Sequence, residues 1–108
     1  QLIADLHGCV AARIASVEEV SQAMHTAAEK AGATIMTEEF KQFDPHGVSG
    51  VITISESHLT IHTWPEHQFA AVDVFTCGPM DSQAAVDHLA EALGARRVDV
   101  QILTRSTS

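Results

Sequence analysis

Basic residues are scarce in this chain. Six Lys and Arg stand against fourteen Asp and Glu, for a formal net charge of −8. Nucleic acid and anionic membrane both demand a basic footprint, so neither is expected as a partner. The acidic balance reads first as ordinary solubility and second as attraction for a cationic substrate. Cysteine is scarce too: Cys9 and Cys77 lie far apart, with no CxxC and no visible secretory signal. A disulfide framework is therefore not expected, and two free thiols in the reducing cytoplasm are the default. No apolar run approaches the ~20 residues of a membrane-spanning helix. Repeats, linkers and low-complexity tracts are missing. The chain begins at Gln1 rather than Met, so a short preceding segment is expected.

What is present fits one domain over residues 1–108, 45% apolar. A chain of this size buries roughly two-thirds of its unfolded surface, enough for one core. "QLIADLHG" reads as a strand. "SVEEVSQAMHTAAEKAG" has the grammar of a helix: a capping-box pattern at Ser16 and Glu19, an apolar stripe through Val17, Val20, Met24, Ala27, Ala28 and Ala31, and Gly32 at the C-terminal cap. Four strand-like runs follow: "ATIMTEEFKQF", "VSGVITISES", "HLTIHTW" and "QFAAVDVFTC". The turn "DPHG" separates the first two, and Pro65 ends the third. "DSQAAVDHLAEALGA" is a second helix with Val86, Leu89 and Leu93 on one stripe, and "RRVDVQILT" a last strand. The order β-α-β-β-β-β-α-β predicts an α+β, two-layer sandwich: two helices on one face of a mainly antiparallel sheet. Runs such as "AAVDVF" are apolar on both faces, so a second copy is expected on the sheet's other face.

The stretch "ISESHLTIHTWPEH", residues 54–67, concentrates the reactive side chains. Three chemistries compete for it. His58 and His62, with Glu66, His67 and Cys77 near in sequence, could be imagined around zinc, but the spacing matches no standard ligand pattern, so no metal is expected. Cys77 precedes a Gly-Pro break and could pair with a histidine as a nucleophile, although a single cysteine is more often a small buried hydrophobe. Ser57, after Glu56 at the junction of two strand-like runs, could cut its own chain. Its hydroxyl would attack the preceding carbonyl, β-elimination would break the ester, and hydrolysis of the resulting dehydroalanine would leave a pyruvoyl group. Such a reaction needs a base and oxyanion support, of which His62 and Ser49 are the right types.

The segment "GVSGVITISESHLTIHTWPEHQFAAVDVFTCG" closely resembles the prokaryotic pyruvoyl-dependent S-adenosylmethionine decarboxylase family, and "LIADLHGC", "GATIM" and "RRVDVQIL" extend the likeness over nearly the whole chain. The resemblance implies a proenzyme cut between Glu56 and Ser57 into a β chain, 1–56, and an α chain, 57–108, with Ser57 becoming the pyruvoyl. It implies Ser49 as support for the oxyester step, His62 as the base in elimination, and Cys77 as the acid that protonates the product carbon. Phe43 and Trp64 match aromatics beside the nucleoside, and Glu66 the carboxylate on the ribose hydroxyls. The implied activity is decarboxylation of S-adenosylmethionine through a Schiff base with the pyruvoyl, supplying the aminopropyl donor for spermidine, in a cytoplasmic homodimer with active sites near its interface. The electron sink is of the kind pyridoxal phosphate provides.

Strand alternation puts Ser57 and His62 on opposite faces, so they meet only through a turn at 56–58 or across strands or subunits. Departures from the family lie on the substrate side. Lys41 stands where the family usually has histidine, and "WPEHQF" where it usually has "WPE" followed by Tyr-Gly-Tyr. Two other readings therefore stand beside the first: a pyruvoyl-dependent ornithine or arginine decarboxylase, with Glu38, Glu39 or Asp73 for the cationic side chain, and a non-catalytic regulatory homologue.

Overall fold

The computed structural model describes residues 1–43, 45–55, 57–76 and 79–105. Two of the residues singled out above, Glu56 and Cys77, lie outside the described residues. Six strands form a single sheet: β1 (Leu2–His7), β2 (Thr37–Gln42), β3 (Val48–Ile54), β4 (Ser57–Trp64), β5 (Phe69–Phe75) and β6 (Arg97–Ile102). Their order across the sheet is β2-β3-β4-β5-β1-β6. Every pairing is antiparallel. The helices are α1 (Ala11–Ile14), α2 (Val17–Lys30) and α3 (Ser82–Leu93).

Alternation builds the core. Leu2, Ala4 and Leu6 of β1, Val48, Ile52 and Ile54 of β3, Leu59 and Ile61 of β4, and Ala70, Val72 and Val74 of β5 are buried. They share one face of the sheet, against Val20, Met24 and Ala27 of α2 and Val86, Leu89 and Leu93 of α3. Among the described residues, no helix covers the opposite face of the sheet. It carries Ser49, Val51, His58, Thr60, His62, Trp64, Ala71, Asp73 and Phe75.

The expected sandwich is therefore present, with differences in detail. A one-turn helix, α1, precedes α2, too short to register as an apolar period. The strand expected over "ATIMTEEFKQF" begins only at Thr37. The capping box is half made. Ser16 Oγ accepts from the Glu19 N–H at 3.2 Å, while the Ser16 N–H donates to the Arg13 carbonyl at the end of α1. The preceding turn thus takes the reciprocal role expected of Glu19. At the other end of α2, the Gly32 and Ala33 N–H groups close back on Glu29 and Ala28, a Schellman ending.

Two contacts fix the edge strand β2. Phe40 packs across Gly50 so closely that a Cβ there would stand 2.2 Å from its ring. His25 of α2 lies 2.9 Å from Glu38 and 3.7 Å from Glu29. The hydrogen bond to Glu38 raises the His25 pKa above the ordinary histidine value, with the charges of Glu38 and Glu29 adding to it.

Gly50→Ala is expected to lower stability by about 1–3 kcal/mol through overpacking. The cost should largely vanish in a Phe40→Ala background, as a urea-unfolding double-mutant cycle would record; an undiminished cost would place the strain elsewhere. A raised folded pKa at His25 means its stabilisation is fully present below the unfolded value of about 6.5 and is lost as pH rises through the folded value. Accordingly, the melting-temperature gap between wild type and Glu38→Gln should narrow from about pH 5.5 to about pH 8.5. A gap independent of pH would deny the pair a role.

Candidate active site

The β3–β4 register decides which side chains meet. Ser49 and His62 are direct cross-strand partners, both on the uncovered face. Their side chains are joined, Ser49 Oγ to His62 Nδ1, at 2.7 Å. This leaves the other ring nitrogen, Nε2, to face outward. On one side of the pair lies an open depression of about 660 Å³, walled by Glu38, Glu39, Lys41 and Val51. On the other lies a smaller one of about 310 Å³, walled by Phe43, His46, Trp64 and Glu66. Ser49 and His62 border both.

Each wall of the smaller depression has a local cause. Trp64 ends β4, and Pro65 opens a 3-10 turn through His67 that presents Glu66. Phe69, opposite Trp64 in the β4–β5 pairing, supports its ring at a centroid distance of 5.6 Å. The facing wall is the turn after β2. Phe43 N–H donates to the Gly47 carbonyl at 2.9 Å. Gln42 Nε2 donates to the same carbonyl at 2.9 Å, and its Oε1 accepts from the Val17 N–H at 3.2 Å. Gly47 has φ +95 and sits so near β4 that a Cβ would lie 2.7 Å from the Thr63 carbonyl. Only glycine meets both conditions. Buried Thr63 completes the clamp, accepting from the Val48 N–H at 2.9 Å and donating to the Ile14 carbonyl at 2.7 Å.

Five of the residues expected from sequence are thus gathered at one mouth: Phe43, Ser49, His62, Trp64 and Glu66. Ser57 is not among them. It begins β4, is 7% exposed and shares the core-facing parity of Leu59 and Ile61. Five residues of strand, about 16 Å, separate it from His62. The hairpin turn just before it holds Ser55 at φ 44, a left-handed conformation strained for a non-glycine residue. His58 and His62 share a face, yet four strand residues place them about 13 Å apart, too far for one ion. Among the described residues no group of three or more His, Cys, Asp or Glu is placed to hold a metal. Cys9 is buried, and burial pushes its thiol pKa up, so it is no nucleophile.

Sequence reasoning passed over three residues that shape this mouth, Gln42, His46 and Thr63, and met Phe69 only as part of the departure "WPEHQF". Only His46 carried a signal, its place in a turn between Phe43 and Ser49. Lys41 borders the larger depression and lies over the Phe43 ring at 5.3 Å. His67 is exposed on the 3-10 turn and lines neither depression.

A Ser–His pair beside an aromatic-walled mouth on an α+β sandwich has the makings of an enzyme. Residues 1–106 match the family model described as S-adenosylmethionine decarboxylase. The S-adenosylmethionine decarboxylase proenzyme of Thermotoga petrophila is 51% identical over 100 residues, 92% of this chain and 77% of the relative. That of Acidithiobacillus ferrooxidans is 45% identical over 106 residues, 97% of this chain and 80% of the relative. The adenosylmethionine decarboxylase of Aquifex aeolicus superposes with a TM-score of 0.84 at 36% identity, covering 99% of this chain and 93% of that one. The chain belongs to the S-adenosylmethionine decarboxylase family.

Gln42→Ala removes both side-chain bonds that brace the turn carrying Phe43. It is expected to cost about 1–2 kcal/mol on unfolding and to speed hydrogen exchange at the Phe43 amide more than at the interior of β3. Unchanged exchange would mean that the backbone alone holds the turn.

Proposed function

We propose that this chain is a self-cutting proenzyme which, once cut between Glu56 and Ser57, decarboxylates S-adenosylmethionine with a pyruvoyl group made from Ser57. The observation that carries the reading is the 2.7 Å Ser49–His62 pair at the mouth walled by Phe43, Trp64 and Glu66. Aromatic faces suit a purine and a sulfonium, and a carboxylate suits ribose hydroxyls. An ornithine or arginine substrate needs neither, so the amino-acid reading lacks a reason for this mouth. The names of the relatives above do not favour it.

The residues present fit a pyruvoyl precursor. Strain at Ser55 lies two residues before Ser57, where relief on cutting favours the break. The Ser57 hydroxyl attacks the Glu56 carbonyl and the Glu56–Ser57 C–N bond breaks to leave an ester, with Ser49 supporting the oxygen. His62 takes the Ser57 Cα proton as the Cβ–O bond breaks and the Glu56 carboxylate leaves. Water then replaces the dehydroalanine nitrogen, which departs as ammonia. A pyruvoyl carbonyl would bind the substrate amine and accept the electron pair left by CO2. Phe43 and Trp64 hold the base, Glu66 the ribose, and Cys77 delivers a proton to the product carbon. Enclosure between subunits would exclude water and strengthen each of these contacts. The product is the aminopropyl donor used for spermidine.

His62 cannot reach its own Ser57 across the sheet and about 16 Å of strand. A homodimer would remove the separation along the strand, and a turn of the chain at Ser57, whose side chain has the core-facing parity here, would bring it to the interface. When two uncovered sheet faces meet about a twofold axis with their β3–β4 hairpins antiparallel, the turn end of one protomer lies over the mouth of its partner, and the reverse contact follows by symmetry. The axis then passes near Thr60, midway between Ser57 and His62 and flanked by Val51 and Asp73. Each active site takes Ser57 from one protomer and the Ser49–His62 pair from its partner. Both chains of each cut protomer remain in the sheet, which would hold the fold together after cleavage.

Denaturing mass spectrometry with carboxyl-labelled S-adenosylmethionine tests the function. Wild type is expected to split before Ser57 and release labelled CO2; an uncut chain that releases none would overturn the reading. Ser57→Ala and His62→Ala should each remain uncut alone. Co-expressed, they should yield cut chains of the His62→Ala mass only. A mixture that stays uncut would return the site to one protomer.

A further inference from the structure

We propose that His46 determines specificity at this mouth: its imidazole is the third aromatic wall against which the purine of the substrate packs. The inference rests on the proposed function above and assigns a contact to a residue outside the expected set. His46 lines the smaller depression with Phe43, Trp64 and Glu66.

The other two rings already have neighbours. Lys41 lies over Phe43 at 5.3 Å and borders the larger depression rather than the smaller. Trp64 is flanked by Phe69 at 5.6 Å and His62 at 6.4 Å. Both rings also line the smaller depression. His46 is exposed, and it makes no hydrogen bond, ion pair or ring contact among the described residues. Its place is nonetheless fixed. It sits between Pro45, whose φ is locked by its ring, and Gly47, whose carbonyl receives two hydrogen bonds from Phe43 N–H and Gln42 Nε2. A side chain held on a braced turn with its ring uncommitted is preorganised to receive a ligand.

The chemistry also fits. A neutral imidazole offers a π face together with one donor and one acceptor nitrogen. Phe43 has only the face, Trp64 adds a donor, and Glu66 accepts. The other imidazole lining the depression, His62, is engaged with Ser49, so His46 offers the uncommitted ring face. The contact would be made equally by substrate and transition state, so it should govern binding rather than the chemical step.

Trp64 is the only tryptophan in the chain, so its fluorescence reports on this mouth. The probe is 5′-methylthioadenosine, which carries the nucleoside and no amino acid, titrated into the cut protein. Relative to wild type, His46→Ala is expected to bind it about tenfold more weakly, the scale of one lost base–ring stack. His46→Phe should recover most of the loss. With S-adenosylmethionine, KM should rise by the same factor in His46→Ala while kcat stays within about twofold. Self-cutting and melting temperature should match wild type in both variants, which separates a binding role from a folding one. If wild type binds the nucleoside and His46→Ala binds it equally well, the His46 contact is refuted and the proposed function stands. A loss that phenylalanine does not recover refutes the ring contact. If wild type neither binds the probe nor turns over S-adenosylmethionine, the proposed function itself fails.

Discussion

The period of two along β4 is the constraint from which this site follows. Ser57, Leu59, Ile61 and Thr63 point to the helices, and His58, Thr60, His62 and Trp64 to the uncovered face. A slip of one residue would exchange these sets and bury two histidines and a tryptophan in the core. The register is therefore held by the same apolar packing that makes the protein fold. One consequence is that the cut site and the proposed base stand on opposite sides of one sheet. Within one protomer the two do not meet, and the separation along the strand is what the proposed homodimer would remove.

The same hairpin couples the two ends of the proposed reaction. Its turn end carries the strained Ser55 and the start of β4 at Ser57. Its open end carries the Ser49–His62 pair and the mouth. Between them the strands are regular, with each residue of Ser49–Ile54 opposite a residue of Ser57–His62. Regular pairing fixes the spacing between the two ends, which a partner in the proposed homodimer would have to match. The open end is stiffened from outside the hairpin: Thr63 ties it to α1, and Gln42 ties the facing turn to α2. Helices that bury the core thus also hold the mouth open.

Most of the fold was legible because its signals are local. Val, Ile and Thr alternation marked the strands, and Ser16 and Gly32 bounded α2. What escaped was contextual. The helix Ala11–Ile14 is one turn long and leaves no period to read. The Ser16 N–H found its partner in the Arg13 carbonyl, which exists only once α1 has formed. At the site, Ser49 and His62 were named as the types that self-cutting needs and Phe43, Trp64 and Glu66 through the family resemblance; the β3–β4 register joins the first two, and the turns after β2 and β4 bring in Phe43 and Glu66. Gln42 and Thr63 were illegible because their work lies in contacts to residues distant in sequence. Residue spacing did expose the separation of Ser57 from His62, since alternation needs no tertiary information.

The substrate-side departures from the family are explained best by Gln68. The resembling proteins usually have glycine at this place, and Gln68 adopts φ 51 and ψ 39, a conformation that costs a side-chain-bearing residue roughly 1–2 kcal/mol. Here the turn is over-determined. The Gln68 N–H donates to the Pro65 carbonyl at 3.1 Å, and the Gln68 carbonyl accepts from Cys9 N–H at 2.9 Å. With both backbone groups engaged, the left-handed turn persists after glycine is lost. Phe69 then starts β5 in register with Trp64, and the stack between them is kept. Lys41 likewise sits over Phe43 without entering the smaller depression. A substrate held by Phe43, Trp64 and Glu66 would meet the same frame, and differences in selectivity would have to come from side chains that project into it.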